Sequence, residues 1–464
     1  MTLPIDLRRR ALSCLLLGWV GPQPPAWLLR ALEDGLGGVV LFGSNLGDGT
    51  GVARLTAQLR RAAGRDIVVA LDEEGGDVTR LDAVRGSSSP GAAALGHRDD
   101  PDLTESVYRA IGARCAEAGV TIDLAPVADV NVDPRNPVIG VRAFSADPQV
   151  AARHVAAAVR GLESTGVAAC LKHFPGHGAT VDDSHHRIAT VTRTRAELEA
   201  TELPPFRAGI AAAARAVMTG HLQVAALDPD NIATFSRAIT HGLLRGTLGF
   251  TGTVVTDALE MRAVADGVGM VEGAVGALAA GADAVETGSQ DHPHLADEIP
   301  DAIVRAVDEG RLDEARLTEA AKRTAALAAP ADTDPTPVPD AASVEIIGTL
   351  PRLDRPLVVE CRTPGGMAAG ELPWSLGTHL AKLLPGTQTL RIDDPVELPP
   401  GRDLVVVVRD PDRVQWQRAL LPAATVVVDC GWPGVVSDRP TIRTRGVAPG
   451  LLAAAARALA AGAR

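Results

Sequence analysis

The chain has 464 residues, too many for one ordinary domain of roughly 100–200 residues. Hydrophobic residues make up 46% and charged residues 22%, a globular balance with ample material for a large core. The formal net charge of -12 argues against nucleic acid or an anionic membrane as the main partner, since both need a basic footprint.

From the N-terminus, Arg8, Arg9 and Arg10 precede an apolar run over 11–20 that imitates a short signal peptide. No A-x-A cleavage site follows, so the run reads as a first buried strand and the protein as cytoplasmic. No run is long enough to span a membrane. Short runs rich in Val, Ile and Leu then recur at 12–17, 38–42, 67–71, 121–126, 168–173, 216–220, 252–256 and 282–285. Each is separated from the next by room for a helix. Continuous apolar runs with helical spacers predict a parallel sheet covered on both faces. Eight such units predict a closed (β/α)8 TIM barrel over residues 1–329. One unit shows the local logic: Asp147 supplies an N-cap, Pro148 the first helical position, and Gly166 a left-handed turn before the next strand.

Residues 330–342 read as a linker, because PADTDPTPVPD is dense in proline and aspartate. Residues 343–464 carry further strand-like runs at 357–361, 387–392, 404–408 and 425–428, with helical stretches at 374–384 and 451–461. They predict a smaller C-terminal α/β domain with a parallel sheet. The five cysteines are widely spread and show no CxxC or zinc spacing, which reads as buried free thiols.

In a barrel of this kind, side chains at the C-terminal ends of strands face the active site. Those positions hold Asp72, Asp129, Lys172, His173, His221 and Asp257. Asp257, after Thr253-Val-Val-Thr256, is placed to attack an anomeric carbon as a nucleophile. The densest chemical cluster is KHFPGHGATVDDSHH, Lys172 to His186, in which Gly176 and Gly178 make a flexible loop. Asp183 and His185 lie two residues apart, so the carboxylate can orient the imidazole and raise its basicity as an acid/base pair.

These residues resemble a known family, the β-N-acetylglucosaminidases of glycoside hydrolase family 3. The matching motifs are DEEGGDVTR from Asp72 to Arg80, NPVIGVRAF from Asn136 to Phe144, the Lys172–His185 stretch, MTGH ending at His221, and VTDALEM around Asp257. They cover the whole barrel, and KHFPGHG…DSH marks the branch that uses an Asp–His pair as acid/base. The resemblance implies Asp257 as nucleophile and His185 as proton donor and then general base, oriented by Asp183. It also implies that Asp72, Arg80, Arg142, Lys172, His173 and His221 bind substrate, and that the substrate is a β-linked N-acetylglucosaminide from muropeptides or chitooligosaccharides. The chain departs from the family's usual residues at Glu73, Asp77 and Val141, where Gln, Arg and Asp are common.

Histidine begins near ~6.5 and needs little adjustment to donate a proton at neutral pH. Being uncharged when deprotonated, it also leaves open a phosphorylase with phosphate as acceptor. Aromatic residues are only 3% of the chain, which favours a short substrate held by polar contacts. A β-glucosidase or β-xylosidase of the same fold, and a non-catalytic sugar-binding barrel, are the other readings. No cofactor and no metal are expected, and the chain reads as a monomer or homodimer with a small carbohydrate as its partner.

Overall fold

The computed structural model describes residues 5–180, 188–329, 336–362 and 373–462. The eight barrel strands are β1 (Leu15–Leu17), β2 (Gly38–Val40), β3 (Val68–Leu71), β4 (Ile122–Asp123), β5 (Ala168–Phe174), β6 (Ala216–Thr219), β7 (Thr253–Thr256) and β8 (Val285–Glu286). All neighbours are parallel, from Leu16 opposite Gly38 round to Ala216 opposite Thr253. β8 pairs with β1 through Leu15 and Val285, and a parallel bridge between Val255 and Ala284 joins β7 to β8. The predicted (β/α)8 barrel is therefore formed.

The apolar runs are continuous because both faces of each strand are buried. Leu16, Val40, Val68, Ala70, Ile122, Ala168, Cys170, Ala216, Val255 and Ala284 fill the interior. The alternate residues Leu15, Leu17, Val39, Val69, Leu71, Ala169, Val217 and Val254 pack outward under the helices. The capped unit forms as expected: the Asp147 carboxylate accepts from Gln149 N at 2.7 Å and starts the helix Pro148–Glu163. The predicted first strand is shorter than expected. Residues 5–12 form a helix, Ile5–Leu12, whose Arg8 and Arg10 bind Asp301 and Glu314 on the closing helices of the barrel. The signal-like run is thus built into the barrel wall. Among the described residues no helix is long and apolar enough to cross a membrane.

The second sheet contains β9 (Glu345–Ile347), β10 (Leu357–Cys361), β11 (Gln388–Ile392), β12 (Leu404–Val408), β13 (Val426–Asp429) and β14 (Thr441–Arg443), in the order β9-β14-β13-β12-β10-β11. Helices Leu376–Ala381 and Pro449–Ala461 cover one face and Gln415–Leu420 the other, which makes an αβα sandwich. The expected parallel sheet carries one antiparallel edge strand, β9 against β14. All five cysteines are buried and free.

This domain is tied to the barrel through one acid. Asp77, on the loop after β3, accepts from Val447 N at 2.8 Å and from the Arg409 guanidinium. Ala94 of the barrel packs with Ala448 and Leu451 beside it. The departure from the family at Asp77 is therefore an interdomain anchor on the loop that carries Asp72, Glu74 and Arg80.

Candidate active site

The polar residues at the strand ends converge on a cleft of about 560 Å3 at the C-terminal mouth. Asp72, Arg80, Arg142, Lys172, His173 and Asp257 all line it. Asp72 follows β3 directly. Lys172, on β5, places Nζ 2.6 Å from Asp72 and 2.7 Å from Glu74. Arg142 forks onto Glu74 at 2.9 and 2.7 Å, and Arg80 reaches Asp72 at 3.3 Å. Burial opposes ionisation of Asp72, but Lys172 and Arg80 overcome it and hold its carboxyl below the usual range. Glu74 is likewise held well below that range, with Arg142 and Lys172 outweighing burial. The same pairing lifts Lys172 above its ordinary value against the burial penalty. The result is a fixed charged lattice with its donors already aimed.

Glu73 fixes the loop from behind. It accepts from Thr79 Oγ1 at 2.6 Å and from the backbone N–H groups of Arg80 and Leu81 at 2.8 and 2.9 Å. These acceptor contacts need no amide, so a glutamate serves where the family often carries Gln.

Asp257 follows β7 at the mouth. Its N–H donates to Thr219 O at 3.1 Å and its Oδ1 accepts from Ala258 N at 2.8 Å. His221 does not line the cleft as expected of a substrate-binding residue. It is fully buried behind this loop, with Nε2 3.1 Å from Ala258 O and Nδ1 2.7 Å from Thr234 Oγ1. A carbonyl only accepts, so Nε2 carries a proton, and the ring is fixed between Ala258 O and the Thr234 hydroxyl. The strand-end rule placed His221 at the right depth, but the chain turns at Gly220 and packs the ring inward. It is a positioning residue for the backbone that carries Asp257.

His173 lines the cleft with Nδ1 held by Asp129 Oδ2 at 2.7 Å. Asp129 also accepts from His177 N at 2.7 Å, so it gathers the loop after β5. That loop is less loose than its glycines imply. A Cβ on Gly178 would lie 1.9 Å from Val130 O, and Gly176 has φ 132°. The glycines permit close approach, and the loop up to Thr180 is pinned. Asp183 and His185, the expected acid/base pair, lie outside the described residues.

His177 also lines the cleft. Burial, then the neighbouring His173, pushes it down to about 4, so it is neutral at neutral pH. The unfolded chain takes up this proton near ~6.5, so folding stability should fall as pH drops from there towards about 4, by up to roughly 3 kcal/mol. Urea midpoints across that window check this. His177→Asn, with no imidazole to protonate, should lose less; an equal loss would assign the acid sensitivity to other groups.

Glu74 was not singled out as a site residue from sequence, and neither were Glu260, Ser289, Gln290 and His292 on the cleft wall. Asp129, read at a strand end facing the mouth, holds His173 from behind and does not itself line the cleft. Glu260 accepts from Ser289 N at 2.7 Å and from Ser289 Oγ at 2.8 Å, which shapes one rim. Glu286 is an acid where an apolar strand residue is expected, a signal for a side chain that faces either the pocket or a buried arginine, and it lines the cleft.

Fold and cleft define the class: a barrel protein with a charged cleft at the C-terminal mouth, where barrel enzymes carry their active sites. Comparison with known proteins gives the family. Residues 29–327 match the glycosyl hydrolase family 3 N-terminal domain, and the chain belongs to that family of glycoside hydrolases. It is 38% identical over 299 residues to the β-hexosaminidase of Xylella fastidiosa (strain M23), covering 62% of this chain and 86% of the relative. The β-hexosaminidase of Stenotrophomonas maltophilia (strain K279a) matches to the same extent, 38% over 299 residues, with 62% and 86% covered. Among solved structures, a glycoside hydrolase family 3 β-N-acetylglucosaminidase from Paenibacillus sp. str. FPU-7 superposes with a TM-score of 0.85 at 30% identity, covering 98% of this chain and 96% of that one. A β-N-acetylhexosaminidase from Beutenbergia cavernae DSM 12333 gives 0.64 at 31%, covering 70% and 99%.

Proposed function

We propose that the protein is a retaining, exo-acting β-N-acetylglucosaminidase that removes terminal N-acetylglucosamine from short oligosaccharides or cell-wall muropeptides. The observation that carries this is Asp257 sharing one cleft with Asp72, Arg80, Arg142, Lys172 and His173. The relatives' names, β-hexosaminidase and β-N-acetylglucosaminidase, supply the sugar.

In this mechanism the Asp257 carboxylate attacks the anomeric carbon and forms a glycosyl ester. His185, oriented by Asp183, gives its proton to the departing oxygen. It then removes a proton from water, which attacks the same carbon from the opposite side and releases the sugar and Asp257. Asp72 accepts hydrogen bonds from sugar hydroxyls, while Arg80, Arg142, Lys172 and His173 supply donors. A lattice already paired in the protein costs no reorganisation when charge develops at the ring. The cleft's main aromatic wall is Phe42, which suits a short glycone more than a stacked polysaccharide.

A panel of aryl β-glycosides differing only at C2 tests the sugar: the N-acetyl compound should exceed the glucoside in kcat/KM by about 100-fold or more. Proton NMR of the first product should show the β-anomer. Comparable rates on both sugars would overturn the specificity, and an α-anomer would overturn the retaining mechanism. Sugar 1-phosphate formed on adding phosphate would reassign the enzyme as a phosphorylase.

A further inference from the structure

Glu286 is the one acid lining the cleft that the mechanism above does not use and that forms no ion pair among the described residues. It is the second residue of β8, and the alternation of that strand decides where it points. Val285 packs outward under the helices and Ala284 inward into the barrel, so Glu286 projects to the inner side at the mouth. It lines the cleft while only 4% exposed. Its backbone is pinned to the nucleophile's loop: N–H donates to Thr256 Oγ1 at 3.0 Å, and its carbonyl accepts from Leu259 N at 3.0 Å. The side chain has no such anchor, and Oε2 is buried without a hydrogen-bond partner among the described residues.

The charged and titratable groups facing it are Asp72 after β3, Cys170 and Lys172 on β5, and Asp257 and Glu260 after β7. Lys172 is the one cation among them, and it is already engaged by Asp72 and Glu74. Burial, then the carboxylates of Asp72 and Asp257, pushes the Glu286 carboxyl well above the usual range. A protonated carboxylic acid offers one O–H donor and needs an acceptor. A buried polar group left unsatisfied in a ligand cleft is satisfied most directly by the ligand.

We propose that Glu286 is a specificity-determining residue that donates a hydrogen bond, as the neutral acid, to an acceptor oxygen of the bound sugar. This rests on the cleft's being the sugar site. In wild type the donor is lost as Glu286 ionises, and the new charge faces Asp72 and Asp257, so kcat/KM falls on the alkaline side.

Glu286→Leu should lower kcat/KM on an aryl N-acetylglucosaminide by about 100-fold. Glu286→Gln keeps the shape and a donor without an ionisable proton. It should recover at least tenfold of that loss and move the alkaline limb of the pH profile upward. On glycosides with single hydroxyls replaced by hydrogen, the wild-type penalty at one position should shrink in Glu286→Leu. A Gln variant as impaired as the Leu variant, an unmoved alkaline limb, or penalties unchanged at every position would each overturn the proposal. Calorimetric affinity for N-acetylglucosamine makes the same Leu-to-Gln comparison without turnover. A failure of the hydrolytic reading is thereby distinguishable from a failure of the role given to Glu286.

Discussion

Asp257→Ala is expected to lower turnover of an aryl N-acetylglucosaminide by about 10,000-fold or more, which at 1.36 kcal/mol per tenfold is roughly 5.5 kcal/mol of barrel-mouth chemistry. Substrate affinity should change little, because the proposed sugar contacts fall to Asp72, Arg80, Arg142, Lys172 and His173, which line the same cleft. The fold should tolerate the change. Asp257 is half-buried at the mouth, and its backbone stays tied to Thr219 O and β8 through Asp257 N and Leu259 N. A small anion such as azide fits the space left by the carboxylate. With an activated aryl substrate it should restore turnover and give the α-glycosyl azide, since azide would enter from the face Asp257 occupied. Stopped-assay kinetics and NMR of the azide product decide this. Turnover within tenfold of wild type would remove Asp257 from the chemistry.

The second large effect is expected at Lys172→Met, which keeps an apolar stem and deletes the ammonium. Asp72 and Glu74 have side-chain exposures of 17% and 4%, and each loses its contact to Nζ at once. Breaking one partner out of a buried ionic group typically costs about 3–5 kcal/mol, because the remaining charges stay buried. The variant should therefore show a urea midpoint lowered accordingly and kcat/KM reduced at least about 100-fold, as Asp72 is no longer held in place in the cleft. The pH dependence gives the sign. Asp72 and Glu74 have depressed folded values, so their stabilisation is present above the ordinary carboxylate range and lost as pH falls through the folded values. Lys172 is raised, so its share is present at neutral pH and lost only as pH rises through its folded value. Without the ammonium both carboxyls should titrate nearer their ordinary values, and stability should fall less steeply in acid. A variant as stable as wild type, with an unchanged acid limb, would show that the lattice contributes neither stability nor orientation.

Much of the architecture was legible because the barrel buries both faces of its strands, which leaves uninterrupted Val, Ile and Leu runs in the chain. Among the described residues four strands escaped notice, Ala189–Val191, Leu222–Val224, Glu345–Ile347 and Thr441–Arg443; each is three residues long and lacks such a run. The start of the barrel was misread for a related reason: Ala11 and Leu12 close a helix, Ser13 and Cys14 turn, and the strand begins only at Leu15, a boundary that the apolar composition does not mark.

At the site, residue type and strand-end position by themselves placed Asp72, Lys172, His173 and Asp257 at the mouth, and the family motifs added Arg80 and Arg142. Only the tertiary structure decided which charges meet. Glu74 joins Lys172 and Arg142 across 98 and 68 positions of sequence, with Nζ at 2.7 Å and Nη2 at 2.7 Å. Asp77 reaches a second domain, His221 turns behind the loop of Asp257, and Glu286 faces inward with no ion pair among the described residues. A sequence records which side chains exist and how local periodicity orients them. Whether a carboxyl is an ion, an anchor or a neutral donor depends on the charges and burial that surround it, and those are supplied by parts of the chain far away.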